Sequence, residues 1–338
     1  MSTARGVGPA VAAEIARARR EFSVEKEEAR AAEWGAKVVT PLDGGYPEPL
    51  RTIFDPPLCL YVRGEWTAKD ANALAVVGTR AASAYGRAQA ERLSFLSAKA
   101  GLTVVSGLAR GIDTAAHRGA LKSGGRTIAV IGGALDCLYP PENKGLADEI
   151  AAGRGAVVSE FPMGREPGRT TFVWRNRLVS GLSKGVLVVE AGAHSGAMQT
   201  AALALEQDRS VMAVPGRVDL EGSKGPHKLI RDGARLVEEL DDILREFEFL
   251  FPPSERKRAL QSVDARAQVA LSGAEKAVLK ALWREGEADQ DDVGRRSGLP
   301  LPQLMTVLMQ LEMKRIVHRL PGRRIALDEA VRQWRLEE

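Results

Sequence analysis
Cysteine and histidine are scarce in this chain of 338 residues, which holds two Cys and four His. Cys59 and Cys137 lie in separate apolar stretches with no pairing pattern, so neither a disulfide framework nor a zinc site is expected. Long hydrophobic runs are missing too. No apolar stretch reaches the length of a membrane span, and the N-terminal MSTARGVGPAVAAEIARARR lacks a signal-peptide core. A cytoplasmic protein without a membrane partner is the expectation. Aromatic residues make up 5% of the chain, leaving few platforms on which bases could stack. Three nucleotide or nucleophile signatures are absent. Gly78-Thr79-Arg80 runs on into Ala81-Ala82-Ser83 instead of completing G-x-G-x-x-G, which argues against NAD or FAD. There is no G-x-x-x-x-G-K-[ST] and no G-x-S-x-G, which argues against Walker-type hydrolysis and a serine elbow. No cofactor and no resident metal are expected.

What is present is organised around Leu102–Gly119, LTVVSGLARGIDTAAHRG. An apolar run, Leu102 to Val105, predicts a short buried strand. Ser106-Gly107-Leu108-Ala109-Arg110-Gly111 breaks it, and Asp113 leads into a helix. Glycines in such a loop let backbone amides face a ligand, while the helix dipole and Arg110 favour an anion. A plain strand-to-helix turn with a capping Asp113 is the competing reading. The formal charge of +4 and a pI near 9.1 permit a nucleic-acid partner without demanding one.

The same construction recurs. Apolar runs at 74–78, 102–107, 127–133, 156–161, 185–192 and 210–216 alternate with helix-like segments at 84–100, 113–123, 142–152, 197–207 and 225–234. Continuous apolar runs mean strands covered on both faces, and alternation with helices means βαβ units. The fold class expected is α/β, a Rossmann-like doubly wound parallel sheet. In such a sheet the ligand lies beyond the carboxyl ends of the strands. Arg80, Arg110, Arg175, Arg177, Arg217 and Lys224 all fall near those ends, so a strongly positive crevice suited to a polyanion is expected. Ser195-Gly196, followed by a helix that includes Thr200, offers another phosphate seat. Residues 167–177, PGRTTFVWRNR, read as a loop that interleaves Phe172 and Trp174 with arginines and Asn176. Bases would stack on an aromatic while arginines meet phosphates, with one of the two aromatics buried as an anchor.

The flanks are expected to form separate modules. Residues 1–37 are a short helical piece with one Gly6–Gly8 hairpin, of the helix-hairpin-helix kind; 38–249 are the sheet domain with a proline-rich, irregular approach at 38–64 that holds short extended pieces at Val38-Val39 and Leu58–Val62. Residues 250–270 are a linker, and 271–330 are a winged helix. In the last, three helices precede a hairpin turned at Pro321-Gly322. Its recognition helix, Pro302–Met313, has no Lys or Arg before Lys314, so protein contact or a DNA-binding relic is favoured over sequence readout.

VVGTRAASAYG, VVSGLARGIDTAAHRGAL, TIAVIGGALDCLYPPEN, SEFPMG, WRNRLVSGLSKGVLVVEA and LALEQDRSVMAVPG together resemble the DNA-processing protein A (DprA/Smf) family. The resemblance covers roughly Val38 to Leu244. It implies non-catalytic binding of single-stranded DNA with little sequence preference, a homodimer, and delivery of incoming DNA to the RecA recombinase during natural transformation. Family DNA contacts would fall on Gly78, Thr79 and Arg80, on Ser106 to Asp113 (Ser106, Gly107, Ala109, Arg110, Gly111, Asp113), and on Arg175-Asn176-Arg177. Ser195, Gly196 and, more loosely, Lys224 complete the set. Where relatives commonly carry a second Ser after the Ser-Gly turn, this chain has Ala197. An enzyme of the same broad fold, a nucleotide phosphoribohydrolase, is the rival. It would need a carboxylate as general base, and Glu190 and Asp113 are the available ones. Against that, Asp113 is expected to cap its helix and Glu190 to orient a crevice arginine. An adaptor acting through the winged helix is the third reading.

Overall fold
A computed structural model describes residues 8–247, 249, 251–256, 258–260, 272–283, 285–313 and 316–327. The chain divides into two compact units, Met1–Glu246 and Phe247–Glu338.

The first unit begins with α1 (Pro9–Glu21) and α2 (Val24–Glu33), then β1 (Ala36–Val39), α3 (Glu48–Arg51) and β2 (Leu60–Gly64). Strict alternation follows: β3 (Ala73–Val77), α4 (Ala84–Lys99), β4 (Thr103–Ser106), α5 (Ile112–Lys122), β5 (Thr127–Val130), α6 (Lys144–Glu149) and β6 (Gly155–Ser159). The second run is α7 (Arg169–Gly181), β7 (Gly185–Val188), α8 (Gly196–Glu206), β8 (Ser210–Ala213), α9 (Lys224–Arg231), β9 (Arg235–Leu236) and α10 (Leu240–Glu246).

The strands form one sheet in the order β1-β2-β6-β5-β4-β3-β7-β8-β9. Pairing is parallel from β6 through to β9, and β2 and β1 add an antiparallel edge beside β6. This is the doubly wound parallel sheet expected, and the edge pair comes from the proline-rich approach, on the short extended pieces expected at 38–39 and 58–62. The chain winds outward from β3 through β4, β5 and β6 on one side, then returns to β7 and winds the other way. The switch point therefore lies between the ends of β3 and β7, which is where such sheets open a crevice. Every residue of β3, β4, β5, β6 and β7 is buried, which is why their sequences are continuous apolar runs. The helices seal both faces. Leu178, Val179 and Leu182 enter one core with Val105, Ile128 and Val188. Leu108, Ile131 and Ile150 lie in a second. Full burial of one such side chain contributes about 1.5–3 kcal/mol.

The stretch read as a loop at 167–177 is instead the start of α7. Thr170, Thr171, Val173 and Trp174 carry weak helix propensity, and packing of the following Leu178-Val179 overrides it. At the N-terminus α2 is tied to the sheet unit by Glu27, whose carboxylate accepts from Tyr61 Oη at 2.8 Å and from the Met163 amide at 2.6 Å. Pro9 occupies the first turn of α1, which buries no residue. The expected hairpin residues Gly6 and Val7 lie outside the described residues, as do 250, 257 and 261–270 of the expected linker and 271, 284, 314–315 and 328–330 of the expected winged helix. Residues 253–256, also assigned to the linker, are helical.

The second unit contains α11 (Gly273–Leu282), β10 (Glu287–Asp289), α12 (Gln290–Ser297), α13 (Leu301–Met313), β11 (Val317–Leu320) and β12 (Arg324–Leu327). Its three strands pair antiparallel in the order β10-β12-β11. Ser272 and Glu275 form the capping box that starts α11. Val278, Leu282, Val293, Leu304, Leu308, Leu311, Ile325 and Leu327 make a core of its own. Three helices and a wing give the expected winged helix.

Candidate nucleic-acid interface
At the switch point the loops after β3, β4 and β7 are pressed together. The Thr79 amide donates to Glu190 O at 2.7 Å, and the Ile112 amide to Thr79 O at 3.3 Å. Gly111 has φ +78°, and a Cβ there would lie 2.3 Å from Thr79 O, so only glycine lets the two loops meet. A Cβ on Gly78 would lie 2.5 Å from Ile112 Cγ1 and 2.7 Å from Glu190 O. These glycines serve close approach of backbone to backbone.

Two loop amides expected to face a ligand do not. The Asp113 carboxylate is buried, and its Oδ2 accepts from the amides of Gly107 at 3.1 Å and Ala109 at 3.4 Å. Leu108, at φ +56°, curls the loop around it. Asp113 thus staples the loop rather than capping α5, whose cap residue is Gly111. A buried carboxylate takes the nearest donors because leaving it unbonded is costly. Burial raises its pKa, and the nearby Arg175 and the amide bonds pull it back. Ser106 likewise turns away from the crevice and donates to Val76 O at 2.6 Å.

Arg175, expected to meet phosphate, is itself buried. Its guanidinium lies on Gly107 so closely that a Cβ there would be 1.6 Å from Nη1. Burial lowers its pKa and Asp113 opposes that. Arg177 is held by Glu160 and, at 3.1 Å, by Asp55. Asn176 Nδ2 reaches Gly196 O at 3.5 Å, and Thr200 Oγ1 donates to the same carbonyl at 3.1 Å. Ser195 N-caps α8 with a buried hydroxyl that has no hydrogen-bond partner among the described residues. Lys224 Nζ donates to Val218 O at 2.8 Å. Glu190 does not orient an arginine. It is buried and accepts from the amide of Ser83 at 2.9 Å and from its hydroxyl, fixing the start of α4.

The groups left facing outward form a compact set. Arg80 lies over the Phe172 ring at 4.8 Å, and Arg110 lies over the Tyr139 ring at 5.3 Å. Arg110 Nη1 also donates to Tyr139 Oη at 3.0 Å. The two rings are 6.1 Å apart and tilted by 49°. With Gly107, Ala109 and Pro140 these four side chains line a shallow crevice. Neither aromatic of α7 is in the core: Phe172 is half-buried against Gly132, and Trp174 is 58% exposed. Tyr139 was not singled out by the sequence. Its only signal was its place on the loop after β5.

The crevice is also less positive than its arginines suggest. Glu142 pairs with Arg110, Asp219 with Arg217 at 2.7 Å, and Glu160 with Arg177. Arg80 is exposed, and among the described residues no carboxylate lies within ion-pair distance of it. In the winged helix, α13 exposes Leu301, Pro302, Gln303, Thr306, Met309 and Gln310. The first turn of α12 carries Asp291 and Asp292. No metal-binding cluster of His, Cys, Asp and Glu occurs among the described residues. No described helix is long and apolar enough to cross a membrane.

A doubly wound sheet with an Arg-and-aromatic crevice beyond the ends of β3, β4 and β5, followed by a winged helix, defines a two-part α/β protein. Comparison with known proteins gives the family. A model for DNA recombination-mediator protein A matches residues 37–248, and one for the DprA winged helix domain matches residues 263–323. The chain belongs to the DprA/Smf family. Protein Smf of Escherichia coli is 42% identical over 84% of this chain and 76% of its own length. DNA processing protein DprA of Streptococcus pneumoniae is 45% identical over 62% of this chain and 73% of its own. The crystallographic DprA structure from Streptococcus pneumoniae matches 72% of this chain and 83% of that one, with a TM-score of 0.64 and 38% identity. A Helicobacter pylori DprA structure, described for its single-stranded DNA binding mode, matches 62% of this chain and 95% of that one at a TM-score of 0.55 and 30% identity.

Proposed function
We propose that this chain is a non-catalytic, cytoplasmic, homodimeric protein that binds single-stranded DNA across the strand-end crevice and passes it to RecA recombinase in natural transformation. The observation that carries the DNA reading is the pairing of Arg80 with Phe172 and of Arg110 with Tyr139 beyond the ends of β3, β4 and β5. Each pair sets a guanidinium over an aromatic ring, joining the two group types that sequence-tolerant strand binding uses for phosphate and base. The Helicobacter pylori relative, described for its single-stranded DNA binding mode, supports the same reading. Single-strand contacts are assigned to Arg80, Arg110, Phe172, Tyr139 and Trp174. Gly78, Thr79, Gly107, Ala109, Gly111, Asp113 and Arg175 shape the loops that present them. The test is fluorescence anisotropy with a labelled oligonucleotide and its duplex. Arg80→Ala/Arg110→Ala is expected to abolish tight single-strand binding, and equal binding by wild type and variant overturns the site.

The winged helix supports an adaptor role in the same protein. Its α13 presents an uncharged face, and the carboxylates at the start of α12 would repel a duplex backbone. Deleting residues 265–338 is expected to leave single-strand affinity unchanged. Loss of affinity on that deletion would make the winged helix a second DNA site.

A further inference from the structure
Arg110 is not a free cation waiting for phosphate. It is already occupied by Glu142, with Tyr139 Oη as a second partner. Those bonds raise the arginine's pKa, and Arg110 holds the Glu142 carboxyl below its usual range. Ordinary surface ion pairs contribute little because both side chains must be ordered. This pair is mounted differently. Glu142 sits in the short Pro141–Asn143 turn. The next residue, Asn143, is buried and donates to Leu108 O at 2.8 Å and to Thr114 Oγ1 at 2.9 Å. Asn143 therefore clamps the loop after β5 onto the loop after β4, and the two charges are carried on one joined platform.

We infer that Glu142 is a specificity-determining guard: it occupies Arg110 in the free protein, and a nucleic-acid phosphate takes its place on binding. The inference rests on the DNA reading of the crevice and deepens it. A paired Arg110 contributes no net charge to the approach of a strand, so a lone or distant anion gains little there. A strand anchored at the unpaired Arg80 brings its next phosphates to Arg110 at high effective concentration and displaces the carboxylate. Tyr139 keeps the guanidinium in place during the exchange, since its ring and hydroxyl hold Arg110 from a side that Glu142 does not use.

The test compares wild type with Glu142→Gln, Glu142→Asp and Arg80→Ala, using labelled oligothymidylate across a salt series. Glu142→Gln is expected to tighten binding by about two- to fivefold at low salt, the range of an exposed ion pair. It should also steepen the plot of log affinity against log salt by up to about 0.7, because wild type takes a salt cation back onto the displaced Glu142 carboxylate while releasing one from the phosphate, and the variant has no such carboxylate. Glu142→Asp keeps the charge and should keep the wild-type slope. Unchanged or weaker binding by Glu142→Gln, with the wild-type slope, overturns the guard and makes Glu142 a positioning residue for Arg110. If Arg80→Ala binds as wild type does, the crevice reading itself fails, whatever Glu142→Gln does. Both exposed side chains lie outside the core, so the melting temperature should not move.

Discussion
Gly107 and Arg175 show how one residue type determines what another can be. The guanidinium of Arg175 fills the space a side chain at 107 would need. Gly107→Ala must displace a buried arginine, and a cost of about 1–3 kcal/mol is expected from such overpacking, read as a lowered melting temperature. His117 gives a pH signature. It is fully buried, its Nδ1 lies 2.7 Å from Thr127 Oγ1, and burial and Arg175 hold its pKa at about 3. In the unfolded chain it titrates near 6.5. Between those values the unfolded state binds a proton that the folded state refuses, so stability is full above about pH 6.5 and falls as pH drops toward 3. His117→Gln should flatten the dependence of melting temperature on pH between 4 and 6. A variant with the wild-type pH slope would remove His117 from the account.

At the scale of an element, α7 joins the core to the crevice. Thr171, Arg175, Leu178 and Val179 face inward, while Trp174 points to solvent. Truncating an exposed ring leaves packing intact, so Trp174→Ala should melt with wild type. If Trp174 carries a base, the same change should lower single-strand affinity by about 1–3 kcal/mol, the usual contribution of one stacked base. Unchanged affinity would confine stacking to Phe172 and Tyr139. The α12 and α13 pair shows the opposite balance. Arg295 and Arg296 of α12 are paired with Asp292 and Glu285, and the exposed face of α13 carries no charge. Among the described residues, few cations remain there to meet a duplex backbone.

For the whole molecule, a net charge of +4 is too small to predict a polyanion site, and many crevice cations carry carboxylate partners. Affinity for single strands should still fall steeply with salt, by roughly 0.7 log units per log of salt for each phosphate contacted. A flat dependence would contradict the crevice. The two units have separate cores. Removal of the second should therefore leave the sheet unit folded, with its near-ultraviolet circular dichroism and its melting transition retained.

The local pattern of the chain determined a good deal on its own. Six continuous apolar runs between helix-like segments define a parallel sheet, because only strands covered on both faces can be apolar at every position. Strand ends locate the crevice, because connections in such a sheet leave it open at the switch point. Ser272 and Glu275 mark a helix start by local hydrogen bonding alone. Other features depend on contacts between residues far apart in sequence, and only the tertiary structure decided them. Residues 169–177 are helical because Leu178 and Leu182 reach a core whose other half comes from distant strands. Whether Arg80, Arg110, Arg175 or Arg177 faces solvent, a ring or a carboxylate depends on which loops fold beside it. The amides of Gly107 and Ala109 could serve a ligand or an internal carboxylate, and Asp113 took them because burial left it no water. Spacing along a chain specifies periodicity and local caps, whereas the pairing of charges is set by three-dimensional proximity and desolvation.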